Sequence, residues 1–113
     1  MPYTIYVIEL SKKAYSESTK FRNANPQYNG RLECVYVGMT SKTPQERFLQ
    51  HRQGAKSKRG HNIASSLVKK YGTYLRSSLY GHLPRYQSRE EALKMEQQLT
   101  VELRRKGFAV WSN

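Results

Sequence analysis

VYVGMTSKTPQERFLQH, residues 35–51, is the stretch from which the fold of this 113-residue chain can be read. Val35, Tyr36 and Val37 are β-branched or aromatic and predict a buried strand within LECVYVGM, residues 32–39. Gly38, near the end of that strand, marks a bulge or the close approach of another group to the backbone. Thr43 and Glu46 have capping-box spacing, and Pro44 stands at the first helical position, where its missing N–H is not needed. A helix is therefore predicted from here to about Gln53, stopping at Gly54. Arg47 and His51, four residues apart, share one face of it. Phosphodiester cleavage needs a cation for the charge growing on the phosphate and a group to carry a proton, and this pair could supply both. A solvated helix face with a stacked histidine is the plainer reading of the same two residues.

Upstream, YTIYVIEL (3–10) is too short for a helix and rich in strand formers, and its simplest partner is the 32–39 strand, antiparallel. Thr4, Tyr6 and Ile8 fall on one face and Tyr3, Ile5 and Val7 on the other, both too apolar to say which is the core. Tyr6 and Tyr36 lie mid-strand. Cross-strand aromatic packing accounts for them; so would two phenols converging on one substrate atom. Between the strands, residues 11–31 accumulate Ser, Asn, Pro and Gly among Lys12, Lys13, Lys20, Arg22 and Arg31. They predict a basic loop with room for a helical turn around 14–19, and loops this long tend to be functional or mobile.

Downstream, AKSKRG (55–60) reads as a short basic loop. Ile63, Ala64, Leu67, Val68 and Tyr71 then form the apolar stripe of a helix over 62–71, ended by Gly72. Residues 73–83 alternate enough to predict a third strand, terminated by Pro84. A second capping box, Ser88 and Glu91, opens a helix from about Arg89 to Lys106, with Gly107 as its stop. FAVWSN, after it, is an apolar tail that packs back on the domain. The predicted fold is a single domain over 1–113, α/β of the α+β type. It has a small, mostly antiparallel three-stranded sheet flanked by helices, in the order β-β-α-α-β-α.

Composition narrows the partner. Twenty Lys and Arg against eight acidic residues give a formal net charge of +12 and a pI near 10.0. A polyanion is the expected partner of such a surface, nucleic acid first and an anionic membrane second. No basic amphipathic helix with a large aromatic face supports the membrane. Cys34 is the single cysteine, so neither an internal disulfide nor a cysteine-based zinc site can form. No run is long and apolar enough to span a bilayer, and no signal peptide is evident, so a cytoplasmic location is expected.

The remaining chemistry gathers on few residues. Glu96 falls on the apolar stripe of the last helix, with Ala92, Leu99 and Leu103. A carboxylate there is costly unless paired or bound to a cation. Either it lies at the stripe edge and meets an arginine, or it is a ligand for a hard divalent metal. His61, before the 62–71 helix, is a surface residue or a phosphate contact. The three histidines, 51, 61 and 82, lack metal-site spacing, and no Gly-rich nucleotide loop is present. Tyr71, Tyr74, Tyr80 and Tyr86 read as core or rim.

Taken in order, these residues resemble the GIY-YIG nuclease domain, over nearly the whole chain. Thr4-Ile5-Tyr6 stands where that family has GIY, and Tyr36-Val37-Gly38 where it has YIG. Arg47 and His51 are similar to the family's arginine helix, His61 to a second histidine opening the next helix, and Glu96, within EEALKMEQQL, to the glutamate of the late helix. Asn113 matches the closing asparagine. Thr4 in place of glycine and the long basic 11–31 loop depart from the pattern; the loop suggests added DNA contacts. Members often carry a separate DNA-binding domain, and the sequence is compatible with a stand-alone nuclease or a domain of a larger protein.

The resemblance implies an endonuclease that hydrolyses DNA, double-stranded in the first instance, with one Mg²⁺ (or Mn²⁺) per site. Glu96 would hold the metal and Tyr6 would activate water with help from Tyr36. Arg47 would clamp the phosphate, His51 or His61 would relay protons, and Asn113 would shape the site. A phenol of ordinary pKa ~10 would need a cationic field for that task. Lys42, Arg52, Lys56, Lys58, Arg59, Lys69 and Lys70 are the candidate nucleic-acid contacts. The alternative is a nucleic-acid-binding module that keeps the fold without cutting.

Overall fold

The structure, a computed structural model, describes residues 2–52 and 63–112, apart from the side chains of 63–65. Two strands form its centre. β1 (Thr4–Leu10) and β2 (Cys34–Thr40) pair antiparallel, with Tyr6 opposite Gly38 and Ile8 opposite Tyr36. Ile5, Tyr6, Val7 and Ile8 are all buried, so both faces of β1 are core, which is why alternation alone could not choose between them. The reason is its place in the sheet: β1 lies between β2 and β3 (Gly72–Leu75), with layers of helix on its flanks.

The sheet has four strands, not three. β4 (Ala109–Ser112), the expected tail, runs parallel to β2 and completes the order β3-β1-β2-β4. Its β-branched and aromatic residues follow Gly107, which closes the preceding helix at φ 117, a left-handed conformation that favours glycine. The outer edge of β4 is satisfied by a side chain. Asn25 is fully buried, accepts from the Val110 N–H at 2.7 Å and donates to the Val110 carbonyl at 3.0 Å. Arg104 adds a bond to the same carbonyl at 3.0 Å.

Asn25 comes from the segment expected to be a loop. Residues 11–31 hold two short helices, α1 (Lys13–Glu17), where a helical turn was expected, and α2 (Thr19–Ala24), which was not. The Ser18 side chain caps α2 by accepting from the Phe21 N–H, and Ala14 and Phe21 anchor the pair in the core. Polar composition concealed these helices because only one residue in each is buried.

The other helices follow their capping signals. α3 (Pro44–Arg52) opens on the Thr43–Glu46 box, in which the Glu46 N–H reaches Thr43 Oγ1 at 3.1 Å and the Thr43 N–H reaches Glu46 Oε1 at 3.4 Å. Its expected stop at Gly54 lies outside the described residues. α4 (Ile63–Tyr71) leads directly into β3. α5 (Arg89–Lys106) opens on Ser88, which accepts from the Glu91 N–H, and buries Ala92, Glu96, Leu99, Thr100 and Leu103. The expected third strand over 73–83 is cut short at Leu75. Arg76 leaves the pleat to pair with Glu9 and Glu33 at 2.8 and 3.3 Å, and Ser77–Leu79 form a 3-10 turn that Gly81 closes.

Among the described residues no helix is long and apolar enough to cross a membrane. Cys34 is free and buried.

Candidate active site

The pleat places Tyr6, Tyr36 and Gly38 on one face of the β1–β2 pair. Gly38 is the close approach expected of it, and the approaching group is the Tyr6 phenol. A Cβ at position 38 would stand 2.6 Å from Tyr6 Oη and 2.9 Å from Tyr36 Cε2. The glycine thus makes room for the Tyr6 ring to lie across β2 toward Tyr36, with ring centroids 6.0 Å apart at 53°.

α3 supplies the third group. His51 is only 2% exposed, and its Nε2 lies 3.2 Å from Tyr6 Oη. Its ring meets Tyr36 edge-on at 5.6 Å. The solvated-face reading of His51 is therefore overturned; Arg47, one turn earlier, stays half-buried and hydrogen-bonds Gln50 at 3.2 Å. α5 supplies the fourth. Glu96 is fully buried, on the same stripe as Ala92, Leu99 and Leu103 rather than at an exposed edge.

The electrostatics of the cluster are those of buried groups sharing a small volume. Burial pushes the Tyr6 phenol up to about 12, against the downward pull of the Arg47 charge and of hydrogen bonds from Tyr36 and Arg47; Glu96 raises it further. Burial also raises Tyr36, as do Tyr6 and Glu96. His51 is lowered to about 4, by burial first and the Arg47 charge second. Near neutral pH both phenols are therefore protonated and the imidazole is neutral. In that state Tyr6 O–H can donate to His51 Nε2 while its oxygen accepts from Tyr36 and Arg47. The cationic field that the sequence reading required is present in part: Arg47 pulls the Tyr6 phenol down, but burial outweighs it.

Four elements thus bring Tyr6, Tyr36, Arg47, His51 and Glu96 together. His61 and Asn113 lie outside the described residues, as do Lys56, Lys58 and Arg59. Lys42, Arg52, Lys69 and Lys70 are exposed, and His82 stands exposed beyond the 3-10 turn. Tyr71 and Tyr80 are core, Tyr86 is half-buried and Tyr74 is exposed. The sequence reading missed Trp111, which registers with Tyr36 across β2 and β4 and so shares its face. The β-branched and aromatic run after Gly107 was the signal for it.

Comparisons of the chain with family models, curated proteins and solved structures find no match.

Proposed function

We propose that this protein is a divalent-metal-dependent endonuclease that hydrolyses DNA phosphodiester bonds, as its resemblance to the GIY-YIG nuclease domain implies. One observation carries the reading: a buried carboxylate, two buried phenols and a buried neutral imidazole from β1, β2, α3 and α5 gather with a half-buried guanidinium in one cluster. A structural core has little use for this set, and phosphoryl-transfer chemistry uses each of its members.

Arg47 holds the non-bridging oxygens of the phosphate. Tyr6 takes a proton from the attacking water as its own O–H proton passes to His51 Nε2, so no free phenolate is needed. The bound phosphate also offsets the Arg47 charge that now depresses His51. Tyr36 steadies the Tyr6 oxygen by hydrogen bonding.

The donors fit a hard cation. Mg²⁺ is held by one or two carboxylates and takes its remaining ligands from waters and substrate phosphates, a demand that Glu96 beside the phenols meets. No group of three or more His, Cys, Asp or Glu gathers among the described residues, as an all-protein cage would require. Bound at Glu96, the ion would neutralise charge on the phosphate and the leaving oxygen.

The test is supercoiled plasmid incubated with Mg²⁺ or Mn²⁺. Wild type should nick or linearise it, with Glu96→Ala and Tyr6→Phe each slower by about 10²-fold or more. Mutants that cut like wild type would sink the site assignment. One observation favours the non-cleaving alternative: Tyr6, Tyr36 and Glu96 are at most 1% exposed. Turnover therefore includes a step that uncovers them. A wild type that shifts DNA on a gel yet leaves it intact under every metal condition would decide for the binding module.

A further inference from the structure

We propose that a continuous basic arc, from the end of α3 across the end of α4 to the start of α1, is the track on which this protein holds the phosphate backbone of duplex DNA. The inference rests on the nucleic-acid reading above and extends it to a surface outside the candidate active site. Three contacts join the arc. Arg52 donates to the Thr73 carbonyl at 3.3 Å, just past the end of α4. The Ser11 N–H donates to the Tyr71 carbonyl at 2.8 Å, which sets Lys12 and Lys13 beside the same helix end. Lys70 lies 3.8 Å from Glu17, on α1. Lys12, Lys13, Arg52, Lys69 and Lys70 are all exposed.

The arc stays cationic because the acids lie or are engaged elsewhere. Glu9 and Glu33 meet Arg76, Glu46 and Glu91 close capping boxes, Glu96 is buried, and Glu90 and Glu102 are exposed on α5. Among the described residues of the arc, Glu17 is the one acid, and it also accepts from the Tyr71 hydroxyl at 2.7 Å. Cations fixed along the ends of packed helices suit a stiff rod with one charge per ~1.7 Å better than a flexible acidic peptide. The track also begins at the right place. Leu10, at the end of β1, is roughly 13 Å along the strand from Tyr6 at ~3.3 Å per residue, or about four base-pair steps at ~3.4 Å each.

The experiment is fluorescence anisotropy of a labelled 20-base-pair duplex, titrated at several salt concentrations in EDTA so that cleavage plays no part. Replacing Lys13, Lys69 and Lys70 together by Gln should make the plot of log affinity against log salt shallower by about 2–3 units. At 0.1 M salt the loss should be on the order of a hundredfold. Glu17→Gln keeps an acceptor for Tyr71 and should tighten binding. A triple variant with wild-type affinity and slope would overturn the proposal, and so would one that loses only binding to phosphatidylserine vesicles. Should the triple variant fail to fold, Lys13→Gln alone and Glu17→Gln read the same slope in opposite directions. A wild type that never cuts plasmid, but whose triple variant binds less, would sink the nuclease reading and leave the arc standing.

Discussion

Gly38 and His51 show how single residues decide the site. A methyl at position 38 would lie 2.6 Å from Tyr6 Oη and 2.7 Å from its Cζ, atoms of a ring that is itself enclosed. Gly38→Ala should therefore cost about 1–3 kcal/mol by overpacking and displace the Tyr6 phenol from His51. Urea unfolding together with the plasmid assay checks both; an unchanged midpoint would mean that the ring has room to move. His51 gives a pH signature. Unfolded, it binds a proton near its ordinary 6.5, and folded, only near 4. Its contribution is thus fully present above pH 6.5 and is lost as pH falls toward 4, amounting to about 3 kcal/mol at ~1.4 kcal/mol per pKa unit. Wild type should lose that much more stability than His51→Gln between pH 7 and pH 4 in urea titrations. Equal losses in the two proteins would refute the buried neutral imidazole.

At the scale of elements, capping and edge protection do separate work. Ser88 accepts from the Glu91 N–H at 3.1 Å and starts the helix that carries Glu96. Ser88→Ala should cost ~1 kcal/mol, the usual value of an N-cap, and leave the site in place. Asn25 matters more. It bonds the Val110 N–H and carbonyl and the Phe21 carbonyl away from water, and accepts from the half-buried Arg104 side chain. Asn25→Ala leaves the N–H of β4 without its partner, at a cost of roughly 2–4 kcal/mol. Amide hydrogen exchange should show the loss concentrated in β4 and α2; a loss spread evenly over the sheet would argue against Asn25 as the edge clamp. The capping boxes were legible because their residues act within one turn of chain. Asn25 was not, because its partner lies 85 residues away and its own surroundings read as a polar loop.

Across the whole molecule, a net charge of +12 on 113 residues produces self-repulsion that the engaged acids offset only locally. Moderate salt should therefore stabilise the free protein. Its thermal midpoint is expected to rise by a few degrees between about 20 and 300 mM NaCl, as screening shortens to within ~10 Å. A flat or falling midpoint would mean that the ion pairs around Arg76 outweigh the repulsion. The same salt that steadies the fold should weaken the proposed DNA binding, so the two measurements separate folding from docking.

The sequence by itself determined the β1–β2 pair, the starts of α3 and α5, the stops at Gly72 and Gly107, and the candidacy of Tyr6, Tyr36, Arg47, His51 and Glu96. Pleat, capping and helical spacing act over a few residues and are written locally. Tertiary structure alone decided that the tail becomes a parallel fourth strand, that the basic insertion adds a second helix to the turn expected around 14–19, and that the strand expected over 73–83 stops at Leu75. It also decided that His51 is buried against a phenol rather than set on a solvated face. Tyr6 and His51 are 45 residues apart in the chain and 3.2 Å apart in space. Whether a histidine on a helix faces water or a phenol depends on what packs over it, and that is set by long-range burial rather than by local pattern.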